Sequence, residues 1–375
     1  MEIIHFILLC VAIVSLSILY QKYLRKQSQK YDLNDYSDIQ KYLLKDTKYL
    51  LESDKPILWV HIPYEYNSRK WLDFGSRSSY DLNQPYLYLT MRTIIKNCEN
   101  SFKIVLIDDQ TFEKIIPNWE INLETVPMPS KCYIRQLAIA KLIYIYGGIN
   151  VPLSFLCFRD LISLYESGTS NNKLFVCENY NTNSSSNTQL FFPNCEFFGA
   201  EKENQTTQEF INFMERSIST DFTSENEFIG SFNKWCLKQI NNNKVKLIEG
   251  HLIGTKTLNN DAVIVETLLS DDYIHFYSKT YGIWIPSRDI LNRIHYEWFV
   301  RMSSEEIFNS QFILAKYIVL AMAPDSGNGV IEPLENKPNW IDFWKVPLTN
   351  GTLNIFGPKP IYLGNNISRG KMITR

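Results

Sequence analysis

Residues 131–154, KCYIRQLAIAKLIYIYGGINVPLS, decide how the rest of the chain is read. The first sixteen of them hold no glycine or proline and are dense in Ile, Leu, Ala and Tyr, which predicts a helix with Ser130 as its N-cap. Gly147 and Gly148 end it, because glycine takes the left-handed backbone of a helix C-terminus at no steric cost. Residues 149–158, INVPLSFLCF, carry no charge and predict a buried strand. The segment is therefore a helix that turns tightly into a strand whose start faces the ligand edge of a sheet.

Upstream, KPILWVHIP (55–63) is a compact apolar run between prolines and predicts a buried strand. A polar loop follows, then PYLYLTMRTIIKNC (85–98), a helix with Pro85 in its first turn. FKIVLI (102–107) predicts a second strand, closed by Asp108 and Asp109, and TFEKIIPNW (111–119) a short helix stopped by Pro117. Downstream, KLFVCENY (173–180) and CEFFGAEK (195–202) predict strands, and TTQEFINFMERSI and FIGSFNKWCLKQI predict helices. A last helix is expected from Ser303 to Ala323, with a Ser303/Glu306 capping box and a Pro324 stop. The alternation of strand and helix predicts an α/β fold with a mostly parallel, Rossmann-like sheet flanked by helices, whose ligands bind beyond the carboxyl ends of the strands.

The organisation outside this unit is also legible. Residues 3–20, IIHFILLCVAIVSLSILY, would span about 27 Å as a helix, close to the ~30 Å bilayer core, so one transmembrane helix is expected. Lys22, Arg25, Lys26 and Lys30 follow it, and residues 1–30 read as anchor plus basic flank. The positive-inside rule favours the cytoplasmic side for the C-terminal part and leaves luminal placement open. Residues 31–54 read as a polar stem, 55–323 as the α/β domain, and 324–375, richer in Pro, Gly and Asn, as a loosely structured tail.

The 375 residues include 45% hydrophobic and 14% aromatic side chains, enough for a packed core. A formal net charge of -2 lacks the basic footprint of a nucleic-acid binder, so nucleic acid is not an expected partner. Seven scattered cysteines without a C-x-x-C pair signal buried free thiols rather than a zinc site or a disulfide framework. Four N-x-S/T sequons, at Asn183, Asn204, Asn350 and Asn366, are no more than chance predicts in so asparagine-rich a chain.

The order of first strand, acid-terminated strand and helix running into YGGI resembles the glycosyltransferases with a DXD motif, particularly the capsular-polysaccharide and mannosyltransferase-like group of GT-A fold. The overlap covers about residues 55–287. The chain is also similar in look to single-pass membrane proteins of nucleocytoplasmic large DNA viruses, which implies a host endomembrane or virion location. The resemblance implies transfer of a sugar from a nucleotide sugar to a glycan or protein acceptor. In that family a helix Asp and Arg precede the glycines and an Asp-x-Asp follows them, the carboxylates holding a divalent cation against the diphosphate leaving group. Here these four positions are Gln136, Ile139, Pro152 and Ser154, whereas Tyr146, Gly147, Gly148 and Ile149 keep the family pattern.

Two readings follow. In the first the chain is an active transferase with Asp108 and Asp109 as catalytic or metal-binding carboxylates, Mn2+ or Mg2+ entering only if that acidic pair replaces the missing DXD. Arg69 and Arg77, with Gly147, Gly148 and Ser154, would then bind the nucleotide sugar, the arginine forks replacing a cation against phosphate. In the second it is a non-catalytic transferase-fold module that binds glycan or serves assembly at a membrane. The residues have plainer uses too. Asp109 suits the N-cap of 111–115, Arg69, Lys70 and Arg77 a solvated loop, and His61 a satisfied core or rim position. Asp271, Asp272 and His275 suit an acidic surface turn beside a part-buried histidine.

Overall fold

The computed structural model describes residues 55–63, 84–181, 190–220 and 230–322, with residues 5, 20, 39, 41–44 and 50. The expected tail, Arg69, Lys70, Arg77 and three of the sequons lie outside the described residues, as do the membrane helix and the stem except at those isolated positions. Among the described residues no helix is long and apolar enough to cross a membrane.

The strands are β1 (Ile57–His61), β2 (Lys103–Ile107), β3 (Gly148–Asn150), β4 (Phe155–Cys157), β5 (Leu174–Tyr180), β6 (Phe191–Ala200), β7 (Val245–Ile248) and β8 (Gly282–Trp284). Six of them form one sheet in the order β2-β1-β3-β6-β5-β7. β1 pairs in parallel with β2 and β3, and β5 with β7, while β6 runs against both its neighbours. The sheet is thus mostly parallel, as the alternating pattern predicts, with β6 as the reversed strand.

Helices cover both faces, and strand alternation sorts the side chains between them. Ile57, Trp59, Val105, Ile107, Val176 and Phe198 enter a core with α2 (Thr111–Ile115), α3 (Ser130–Tyr146), α5 (Gln205–Ser219) and α6 (Ser231–Asn241). The intervening Leu58, Val60, Ile104, Leu106, Phe175 and Phe197 pack on the other side against α1 (Pro85–Cys98) and α4 (Ile162–Thr169). Burial on both faces explains why β1 and β2 read as unbroken apolar runs. A third cluster joins Tyr86 and Leu89 of α1 to α7 (Val265–Leu268), α9 (Glu297–Arg301), α10 (Ser304–Phe308) and α11 (Ile313–Met322).

Several expectations change in the structure. Ser130 is the first residue of α3 rather than its cap. The strand after the glycines stops at Asn150, since Pro152 has no N–H to give a ladder. The chain turns there, Phe155 N–H donating to Pro152 O at 2.9 Å, and β4 pairs with β8 in a separate two-stranded sheet. The expected helix 303–323 is two helices. Its capping box forms, Glu306 N–H donating to Ser303 Oγ at 3.2 Å and Ser303 N–H to Glu306 Oε2 at 2.7 Å. Asn309 then closes α10, and Ile313 N–H is taken at 2.6 Å by Ser270 O from another part of the chain.

Cys98, Cys157, Cys177, Cys195 and Cys236 are buried free thiols, as expected. Asn204 is only 1% exposed. Its Oδ1 caps α5 by accepting from Thr207 N–H at 2.9 Å, and its Nδ2 donates to Asn172 O at 2.6 Å. Both ends of the amide are in use inside the protein, so this sequon is incompatible with a glycan on the folded chain.

Candidate functional site

The carboxyl ends of β1 and β3 open into a cavity of about 410 Å³, within the ~300–1,000 Å³ range of small-molecule sites. Helix α3 presents Cys132, Arg135, Gln136 and Ile139 to it, the i, i+3, i+4, i+7 stripe of one helix face. The end of β3 contributes Asn150 and the turn after it Pro152 and Ser154, β6 contributes Glu196, and α8 (Ser287–Asn292) contributes Arg288. Gln136, Ile139, Pro152 and Ser154 therefore line one cavity although they come from a helix and a turn.

At the rim stands a cluster tying β1, the end of β2 and α3 together. Asp109 accepts from Arg135 twice, Nε–H to Oδ1 at 2.8 Å and Nη2–H to Oδ2 at 2.6 Å. His61 Nε2 lies 2.9 Å from Asp109 Oδ1, and the His61 ring stacks on Phe112 with centroids 5.3 Å apart. Burial pushes the Asp109 carboxyl up, but the hydrogen bonds from His61 and Arg135 and the guanidinium charge outweigh it and hold it well below its ordinary value of 3.8. Burial lowers His61 below its ordinary 6.5 despite the adjacent carboxylate, so the ring is neutral and Nε2–H donates to Asp109. His61 is the satisfied rim residue expected from sequence.

Because both oxygens of Asp109 are engaged, it is a structural anion in this arrangement. Asp108 fills the capping role assigned from sequence to Asp109: its Oδ1 accepts from Thr111 N–H at 2.8 Å and from Thr111 Oγ1 at 2.6 Å. Among the described residues no group of three His, Cys, Asp or Glu side chains converges as a metal site. Among the described residues the polar lining of the cavity is imidazole, thiol, amide, hydroxyl and guanidinium with Glu196 as its carboxylate; His61 is tied to Asp109, and a single carboxylate does not make a cage for a hard cation.

Gly147 and Gly148 do not line the cavity. Ile149 is in register with Leu58, so the glycines stand beside the first residue of β1, at the opposite edge from His61. Ser154 does line it and is 3% exposed. Asp271, Asp272 and His275 are in a turn apart from the cavity, and His275 is exposed rather than part-buried.

Sequence reading missed Arg135, Asn150, Glu196 and Arg288. Arg135 had a legible signal, as a buried-face cation in a helix rich in Ile, Leu and Ala. Asn150 donates its Nδ2–H to Glu196 O at 2.6 Å, while its Oδ1, in a side chain 5% exposed, has no partner among the described residues. An unpaired buried acceptor in a cavity is a binding feature, since leaving it unmet costs about 1–3 kcal/mol. Arg288 Nη2–H donates to Glu196 Oε1 at 2.6 Å, and this carboxylate raises the arginine's pKa further. Neither residue is near the other in sequence.

The rim cluster has a pH signature. His61 is neutral when folded and free to protonate when unfolded, so the unfolded chain binds more protons below its ordinary pKa of 6.5. The stability this contributes is present above pH 6.5 and is lost as pH falls toward the lowered folded value. Asp109 adds its own loss below its ordinary 3.8. The melting temperature should fall between pH 7 and pH 5, and His61→Gln should flatten that slope. A wild-type curve that is flat over this interval would contradict the assignment of a neutral buried ring.

Compared with known proteins, the sequence matches no family model and no curated protein.

Proposed function

We propose that this chain is a glycosyltransferase-like protein of GT-A type, anchored by residues 3–20, whose cavity binds a nucleotide sugar without a carboxylate-held cation. The observation that carries the reading is the convergence of Gln136, Ile139, Pro152 and Ser154 on one cavity beyond the carboxyl ends of parallel strands. That convergence supports the reading. The four identities exclude the carboxylate chemistry at these positions, and Arg135 and Arg288 are already paired with Asp109 and Glu196, so the counter-charge for a diphosphate falls to Arg69 and Arg77 in the segment after β1. Asn150 Oδ1 is the buried acceptor suited to a ribose or sugar hydroxyl.

The second reading, a non-catalytic glycan-binding or assembly module, draws support from the same four changes and from the engagement of Asp109. Thermal shift of the full chain with UDP-, GDP- and CMP-sugars, each in manganese and in EDTA, tests the first. Binding to the native state alone at 100-fold above Kd stabilises it by about 2.7 kcal/mol. A shift that survives EDTA and disappears in Asn150→Leu is the expected result. A shift found only with manganese would refute the cation-free site, and no shift with any donor would leave the module reading standing.

A further inference from the structure

Beside the large cavity lies a smaller one of about 130 Å³, and the two share Gln136, Glu196 and Arg288 as common walls. Its size is below that of a complete small-molecule site, so it is a side chamber of the larger. Its chemistry differs. Tyr133, Phe192, Asn194 and Asn233 supply ring and amide groups. Among the described residues its charged lining groups are Glu196 and Arg288, and these neutralise one another in an ion pair. The described lining therefore carries no net charge to attract a phosphate.

The two asparagines are oriented by the backbone. Asn194 Oδ1 accepts from Glu196 N–H and Asn233 Oδ1 from Cys195 N–H, both at 3.0 Å. The acceptor end of each amide is thus engaged on β6, and the Nδ2 ends are donors with no partner among the described residues. Burial keeps the Tyr133 phenol protonated, and its ring is held edge-on by Phe232 at 5.4 Å. The chamber thus offers fixed amide donors, aromatic surface and one carboxylate acceptor at the junction with the larger cavity.

We propose that the smaller chamber is a subsite for an uncharged carbohydrate, held by Asn194, Asn233 and Tyr133, with Glu196 accepting a ligand hydroxyl where the two cavities meet. A hydroxyl both donates and accepts, so a ring bearing several of them satisfies amide donors and a carboxylate together, while its C–H face packs on an aromatic ring. What the chamber serves, an acceptor beside a donor, rests on the transferase-type reading. What it binds rests on its own lining.

The test is saturation-transfer NMR on the full chain in detergent with the methyl glycosides of glucose, galactose, mannose and N-acetylglucosamine, run alongside binding of UDP and GDP. Transfer to the ring protons of at least one glycoside is expected, falling at least about fivefold in Asn233→Leu while nucleotide binding is kept. Tyr133→Phe and Glu196→Gln, which preserve shape, should each weaken the glycoside signal even if Asn233→Leu does not fold. Asn150→Leu should do the reverse, removing nucleotide binding and sparing the glycoside. No transfer from any glycoside would overturn the proposal, as would a signal lost in Asn150→Leu but untouched by the three chamber variants. Glycoside binding without nucleotide binding would sink the donor-site reading alone and leave this subsite in place.

Discussion

Asp109→Asn is expected to lower the unfolding free energy by about 3 kcal/mol or more, read as a shift in the urea midpoint. Asp109 and Arg135 side chains are 12% and 9% exposed, and the pair is bidentate. Removing one charge of such a pair leaves the other desolvated without its carboxylate, which typically costs about 3–5 kcal/mol. The His61 Nε2–H loses its charged acceptor in the same step. Pairing Asp109→Leu with Arg135→Met should recover part of the loss, because it removes both charges together, and a double-mutant cycle would measure the coupling. The same substitution separates two roles for this carboxylate. A cation ligand free of the protein would leave the melting temperature nearly unchanged on mutation, whereas a carboxylate locked between His61 and Arg135 cannot. A midpoint within about 0.5 kcal/mol of wild type, the range of ordinary surface changes, would show that the cluster does not bear on folding.

The second large effect is expected at Gly148. Its φ is +109°, and a Cβ built there would sit 2.1 Å from Ile57 O, on β1, an interior strand of the sheet. No rotamer change relieves a clash with backbone inside a sheet, and the conformation itself disfavours any side chain. Gly148→Ala should cost more than about 4 kcal/mol, a large share of the ~5–15 kcal/mol that holds a domain, and soluble yield should collapse. Gly147→Ala is the internal comparison. Its φ is +74° and the added Cβ would meet Lys202 N at 3.0 Å, a contact that a small shift can ease. Gly147 N–H donates to Ile143 O at 2.8 Å, so this glycine is the helix cap, and Gly148 is where β3 passes close to β1. Equal stability of the two variants would contradict that division of roles.

Much of the architecture was legible before any coordinates. β1, β2, β5 and α1 follow from continuous apolar runs, Pro85 at a helix start and breakers at segment ends, all of which act through neighbours in the chain. The parallel character of the sheet followed from strand-helix alternation. The break between α10 and α11 did not, because Ile313 N–H finds its partner in Ser270, 43 positions away by residue number. The early end of β3 was half legible: Pro152 announced it, but the uncharged run to Phe158 masked the change of sheet.

The candidate site divides along the same line. By itself the sequence determined that a helix meets a strand at Gly147–Gly148, because helix period and turn chemistry are local. Only the tertiary structure decided that Asp109 is held by Arg135 and His61, that Asp108 does the capping, and that Glu196 and Arg288 divide two cavities. Those partners come from different strands and helices, and the energy of a buried charge or an unmet amide depends on what the fold brings within about 3 Å of it, which chain order does not contain.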